Sequence, residues 1–92
     1  MKVYLSGAIT SRQDTAHHYF NEAHWRLQHL EVVNPMLLDH DHDGSWESYM
    51  RVDLMAMLTC DAIYMLKGWN GSPGACEERR IALKLGMEII YE

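Results

Sequence analysis

The sequence has few positive charges and no long apolar run. Only 8 Lys and Arg residues stand against 13 Asp and Glu, which gives a net charge of -5 at pH 7. An acidic chain without a basic patch is repelled by phosphate backbones, so we expect no nucleic-acid polymer as partner. No apolar stretch approaches the roughly 20 residues that a membrane-spanning helix needs, so we expect no membrane partner.

Cysteine is also scarce. The two cysteines, Cys60 and Cys76, do not make a disulfide framework, which favours the reducing cytoplasm. No signal peptide precedes the first strand-like stretch, which favours the same compartment. With 92 residues and a hydrophobic fraction of 48%, residues 1–92 are predicted to form one globular domain.

The most informative stretch is a glycine-rich loop followed by a helix, over residues 68–86. Ser72 is a good N-cap, Pro73 suits the first helical position, and Gly86 is a natural stop. At 100° per residue, Glu78 falls on the same inward face as Ala75, Ala82 and Leu85, whereas Glu77 points away with Arg80 and Lys84.

An inward carboxylate is unfavourable unless it is paired or functional. Arg79 lies at the margin of the inward arc and is a candidate partner for Glu78. A structural Glu–Arg pair and a functional acid therefore both stay open on this helix alone.

The whole chain reads as alternating strands and helices in the order βαβαβαβ. Strands are predicted at residues 2–6, 31–33, 61–66 and 88–91, and the first two helices at about 12–29 and 45–59. Ser11 and Asp14 resemble a capping box for the first helix. This pattern predicts a flavodoxin-like three-layer α/β sandwich with a parallel sheet ordered 2-1-3-4. In such sheets, ligands bind at the carboxyl ends of strands 1 and 3.

The second helix contains another inward acid. Trp46, Met50, Asp53 and Met57 follow spacings of four, three and four, which puts Asp53 within an apolar stripe. Two inward acids on neighbouring helices are a stronger signal than one. Paired carboxylates are what glycosyl-transfer chemistry uses, one at the sugar carbon and one for the proton.

These residues occur in an order that resembles a known family, the nucleoside 2-deoxyribosyltransferase-like superfamily, particularly its short phage-encoded and bacterial members. The similarity rests on Tyr4-Leu5-Ser6-Gly7, Phe20-Asn21, Val32-Val33-Asn34-Pro35, Asp53-Leu54, Cys60-Asp61, Gly68-Trp69 and Ser72-x-Gly74-x-x-x-Glu78. The resemblance implies a flavodoxin-like fold, oligomeric assembly, and an activity like that of the deoxyribosyltransferases or the deoxynucleoside 5′-monophosphate N-glycosidases.

The resemblance also implies roles for individual residues. It makes Glu78 the nucleophile, Asp53 the second active-site acid, Tyr4 a residue that orients Glu78 or stacks near the base, and Gly7, Ser72 and Gly74 substrate-binding positions. Ser6, and Arg12 at the start of the first helix, are further candidates for substrate binding. Because Ser72 to Gly74 open a helix, a phosphate fits there, which favours deoxynucleoside 5′-monophosphates over free nucleosides.

The predicted function is cleavage or transfer of the N-glycosidic bond of a 2′-deoxynucleoside or its 5′-monophosphate; the base, and hydrolysis versus transfer, stay open. The alternative is a non-catalytic nucleotide-binding module of the same fold. Longer family members carry further substrate-binding residues after strand 4. Residues 1–92 offer no counterpart of them, which favours the non-catalytic alternative. No cofactor is expected. The Asp39–Asp43 segment has metal-ligand residue types, but nothing downstream completes a site, so no metal is expected either.

The outer side of the second helix predicts a homo-oligomer, at least a dimer. Besides its inward stripe, this helix carries Val52, Met55 and Ala56, with Tyr49 at the flank, and a helix that is apolar nearly all round needs a second partner. Trp25 adds to the case for an oligomer, because it lies opposite the apolar stripe of the first helix and would otherwise be exposed. Alternatively, residues 36–44 cover the second helix within one chain.

Overall fold

The computed structural model describes residues 1–8, 16–39 and 44–92. Within these ranges strands and helices alternate along the chain. The strands are β1 (Lys2–Ser6), β2 (Glu31–Val33), β3 (Ala62–Met65) and β4 (Glu88–Tyr91), and the helices are α1 (Ala16–Arg26), α2 (Trp46–Met57) and α3 (Pro73–Lys84). Short 3₁₀ turns at Pro35–Leu37 and Trp69–Gly71 follow β2 and β3.

The strands form one parallel sheet in the order β2-β1-β3-β4, which confirms the predicted topology. β1 is central: Tyr4 pairs with Val33 of β2 and with Ile63 of β3. After β1 the chain forms β2 on one side of it, then crosses over and forms β3 on the other side. The carboxyl end of β1 is therefore the switch point at which parallel sheets of this kind bind ligands.

Side chains alternate along β1 and are buried on both faces of the sheet, so helices cover both faces. Leu5 faces α1, in a cluster of buried side chains made by Leu5, Ala16, Phe20, Ala23 and Leu66. Tyr4 faces α2 and α3, in a second cluster made by Tyr4, Met57, Cys60, Ile63, Met65, Ala75 and Ala82. The result is the predicted three-layer, flavodoxin-like α/β sandwich.

Two helix boundaries follow the predicted local chemistry. Ser45 caps α2, accepting a hydrogen bond from Ser48 N at 3.2 Å, and Ser72 caps α3, accepting one from Ala75 N at 3.2 Å. Pro73 begins α3, and Gly86, with φ of 72°, lies just beyond its end. These helix boundaries can be predicted from the sequence because capping involves only neighbouring residues.

Other details differ from prediction. α1 ends at Arg26 rather than at residue 29, because Gln28 N bonds back to Trp25 O and Leu30 N to Leu27 O, which tightens the chain into turns. Its predicted start, including Ser11 and Asp14, lies outside the described residues. Leu85 is 60% exposed rather than inward, because the helix has ended before it.

The prediction for Trp46 was also wrong. It opens α2 and is 49% exposed, whereas Met50 and Met57 of the same stripe are buried. A first-turn residue extends beyond the sheet that the rest of the stripe covers. Along the described ranges, no helix has both the length and the apolar character needed to cross a membrane.

Candidate active site

Glu78 is a buried acid whose two carboxylate oxygens are each held by a different hydroxyl group. Tyr4 Oη donates to Oε2 at 2.6 Å, and Ser6 Oγ donates to Oε1 at 2.6 Å. The glutamate is only 5% exposed. These short, charge-assisted hydrogen bonds fix both the position and the rotation of the carboxylate.

Two backbone periodicities bring these three residues together. Tyr4 and Ser6 are two apart on β1, so both point to the α3 side of the sheet. Glu78 lies between Ala75 and Ala82 on the buried face of α3, where those two alanines leave space beside it. Because Ser6 is the last residue of β1, the carboxylate sits near the carboxyl end of the central strand.

The environment of Glu78 raises its pKa. Burial is the largest influence and disfavours the ionised form, while the hydrogen bonds from Ser6 and Tyr4 favour it and the negative charge of Asp53 opposes it. The net effect moves the pKa of Glu78 from 4.5 to about 7. A carboxyl group with that pKa is partly protonated and partly ionised near neutral pH, so it can donate a proton in one form and act as a nucleophile in the other.

Asp53 is the second buried acid, 6% exposed on the inner face of α2. Its charge raises the pKa of both Glu78 and Tyr4, which places it electrostatically within the same cluster. For Tyr4, burial is the largest cause of the raised pKa and the charge of Glu78 follows. The structure thus joins Tyr4, Ser6 and Glu78 by hydrogen bonds, and Asp53 acts on this cluster through its charge.

The geometry distinguishes between the two predicted roles of Tyr4. Its side chain is fully buried and its hydroxyl group is bound to Glu78. This arrangement orients the carboxylate and leaves no ring face open for a base. Ser6 also orients the Glu78 carboxylate through its hydrogen bond, whereas the sequence predicted it as a substrate contact only. Its spacing of two from Tyr4 along a strand was the signal that could have revealed it.

The start of α3 lies close to the start of α2. A Cβ built on Gly74 would be 3.4 Å from Met50 Sδ and 3.8 Å from Trp46 Nε1, which is ordinary van der Waals contact with α2. The Ser72 hydroxyl oxygen is already engaged by Ala75 N. A substrate hydroxyl or phosphate would share Ser72 with this cap.

Gly7 has a packing reason of its own. A Cβ at this position would approach Leu66 Cβ and Cδ1 to 3.0 Å, closer than side-chain atoms normally lie. Glycine therefore lets the chain leaving β1 run against the chain leaving β3. Its predicted contact with substrate stays a prediction, and Arg12 lies outside the described residues.

Arg79 is not the partner of Glu78, contrary to one of the two alternatives. Its Nε donates to Tyr91 Oη at 2.8 Å, and its guanidinium lies 5.1 Å from the ring centroid of Trp69. The attraction of the cation to two aromatic rings directs it away from the buried acid. Glu77 behaves as predicted, pairing at the surface with Arg80 at 2.7 Å.

Metal-binding residue types are not clustered in the part of the chain described here: no group of three or more His, Cys, Asp or Glu is placed to hold an ion. Residues 40–43 of the acidic and histidine-rich segment lie outside that part. Cys60 and Cys76 are both free, and burial raises the pKa of the Cys60 thiol.

The fold and this cluster define a flavodoxin-like α/β domain with two buried acids beside its central strand. The family model described as a domain of unknown function (DUF4406) matches residues 1–91, and the chain belongs to that family. Comparisons with curated proteins and with solved structures found no match.

The raised pKa of Glu78 predicts a specific pH dependence of stability. Between pH 4.5 and about 7, the folded protein retains a proton that the unfolded chain has released. The folded state therefore loses stability as the pH rises across that window, and the contribution present below pH 4.5 is gone above about 7. Glu78→Gln removes this titration.

Urea unfolding of the wild type, Glu78→Gln and Glu77→Gln at several pH values measures the effect. We expect the stability of the wild type relative to Glu78→Gln to fall across the window and then level off. Glu77→Gln should follow the wild type there, because Arg80 lowers the pKa of Glu77. Parallel curves for the wild type and Glu78→Gln would contradict the assignment.

Proposed function

We propose that this protein cleaves or transfers the N-glycosidic bond of a 2′-deoxynucleoside or its 5′-monophosphate, with Glu78 as nucleophile. One observation carries the proposal: a buried carboxylate, oriented by two hydroxyl groups and flanked by a second buried acid, lies at the switch point of a parallel sheet. The motif resemblance to the nucleoside 2-deoxyribosyltransferase-like superfamily independently points to the same two acids.

The reaction proceeds in two steps. A Glu78 oxygen attacks C1′ of the deoxyribosyl group, the C1′–N bond breaks, and the base leaves with the bonding electrons. Asp53 assists by proton transfer to the leaving base or by holding the sugar. Water or a second base then attacks C1′ and gives up a proton to Asp53, which breaks the bond between C1′ and the Glu78 oxygen and restores the Glu78 carboxylate.

The hydrogen bonds to Glu78 are compatible with this role. Each carboxylate oxygen has more than one acceptor position, so an oxygen that accepts one hydrogen bond keeps electron density for attack. Tyr4 and Ser6 also stabilise the ionised form, which is the nucleophilic one, against the effect of burial. A pKa of about 7 leaves a substantial ionised fraction at neutral pH.

A non-catalytic nucleotide-binding module is the second candidate. The observation in its favour is that Glu78 and Asp53 are only 5% and 6% exposed, so a substrate reaches them only if neighbouring side chains move. In that case the acids would shape the ligand site without forming a bond to the ligand.

The two cysteines in the free state support a cytoplasmic location for either function.

Glu78→Gln should lower base release by roughly a thousandfold or more, because the amide cannot serve as nucleophile. Chromatography of the free base, over a panel of deoxynucleosides and their 5′-monophosphates, measures it. Glu77→Gln is the matched control, since Glu77 is adjacent in sequence but pairs at the surface with Arg80. It should change the rate little.

Equal, small effects of the two substitutions would overturn the nucleophile assignment. Binding of nucleotides with no base release by the wild type would instead support the binding module. The same panel tests substrate choice. Tighter binding of free nucleosides than of monophosphates would reverse the preference inferred from Ser72 and Gly74.

We also propose a homo-oligomer, at least a dimer, that packs through the outer side of α2. Of the predicted outer residues, Met55 and Tyr49 are 72% and 45% exposed, whereas Ala56 packs against the core and does not belong to this surface. Leu58, just beyond the helix, is 55% exposed. A small domain gains stability from covering such a surface with a second copy.

Light scattering at micromolar concentration tests this assembly. The wild type should have at least twice the monomer mass, and Met55→Glu should reduce it to that of a monomer. Leu83→Glu, at a 53% exposed position on α3, should leave the mass unchanged. A monomeric wild type would refute the oligomer.

A further inference from the structure

Trp46 stands at the outer end of a line of side chains that leads down α2 to the buried acids. Trp46, Met50 and Asp53 share one helix face, and their exposures fall from 49% to 9% to 6%. Asp53 lies seven positions after Trp46, which is about 10 Å along the helix axis. The indole therefore lies at the solvent side of the acid pair.

The same indole borders the start of α3. Its Nε1 atom would be 3.8 Å from a Cβ at Gly74, and Gly74 precedes Glu78 by one helical turn. Because α2 and α3 each enter a strand that runs parallel to β1, both helices begin at the carboxyl edge of the sheet. Trp46 and Gly74 thus stand together at the edge where the Ser6 end of β1 emerges.

The other two tryptophans are placed differently. Trp69 is covered by the guanidinium of Arg79 at 5.1 Å and lies beside Tyr91. Trp25 is 69% exposed but belongs to α1, on the opposite face of the sheet. Of the three, Trp46 combines an accessible ring with closeness to the acids.

We infer that Trp46 is the stacking surface for the planar ring of the substrate base, and so a substrate-binding residue. The inference rests on the proposed glycosidic function. Tyr4 is fully buried and bound to Glu78, so its ring is not open to a base. A base stacked on Trp46 would lie at the carboxyl edge of the sheet, with its sugar directed along the helix face that carries Met50 towards Glu78 and Asp53. Stacking tolerates different bases because every base has a π-face.

Binding is measured in the Glu78→Gln background, in which the ligand stays intact. Calorimetry compares a deoxynucleoside 5′-monophosphate with 2-deoxyribose 5-phosphate, which lacks the base. Trp46→Leu should weaken binding of the nucleotide roughly tenfold or more and leave that of the sugar phosphate unchanged. Trp46→Phe should retain most of the affinity, and Trp25→Leu is the control that should change neither ligand.

The outcomes separate this inference from the function on which it rests. Unchanged nucleotide affinity in Trp46→Leu, or equal losses for both ligands, would overturn the stacking role while the proposed function stands. Absence of nucleotide binding in every variant, including Glu78→Gln alone, would overturn both. If Trp46→Leu misfolds, Trp46→Ala takes its place, and the same loss of affinity for the nucleotide, with none for the sugar phosphate, is expected.

Discussion

The burial of the Glu78 carboxylate is the constraint on which the site depends. Removing a carboxylate from water is unfavourable, and two hydroxyl groups from β1 offset that effect only in part. The pKa of about 7 records the balance, because burial outweighs the two donors. Losing either donor would leave a buried acceptor less satisfied, at a typical loss of about 1–3 kcal/mol.

This constraint explains why the site is assembled from the sheet centre. A carboxylate can be oriented rigidly only by donors that are themselves fixed, and β1 is hydrogen-bonded on both sides by β2 and β3. Asp53 adds a second buried charge in a domain of 92 residues, whose small core leaves little stability to spare. Buried acids are unfavourable for folding, so their presence in a small domain is expected at a functional site.

The fold and the two acids followed from periodicity. A period near 3.6 turned Glu78 and Asp53 inward, and alternation of strands and helices predicted the sheet order, because both are properties of regular backbone. What periodicity could not predict were contacts made across the fold. The Ser6 bond to Glu78 and the attraction of Arg79 to Trp69 and Tyr91 join residues far apart in sequence. The exposure of Trp46 depends likewise on where the sheet stops.

The most direct measurement is the titration of the Glu78 side-chain carboxyl carbon by ¹³C NMR. We expect a pKa of about 7 for Glu78, and a still higher value in Tyr4→Phe or Ser6→Ala, since each hydroxyl group stabilises the ionised form. A pKa near the ordinary 4.5, or one that neither substitution raises, would show that burial and the two hydroxyl groups do not control this carboxyl group.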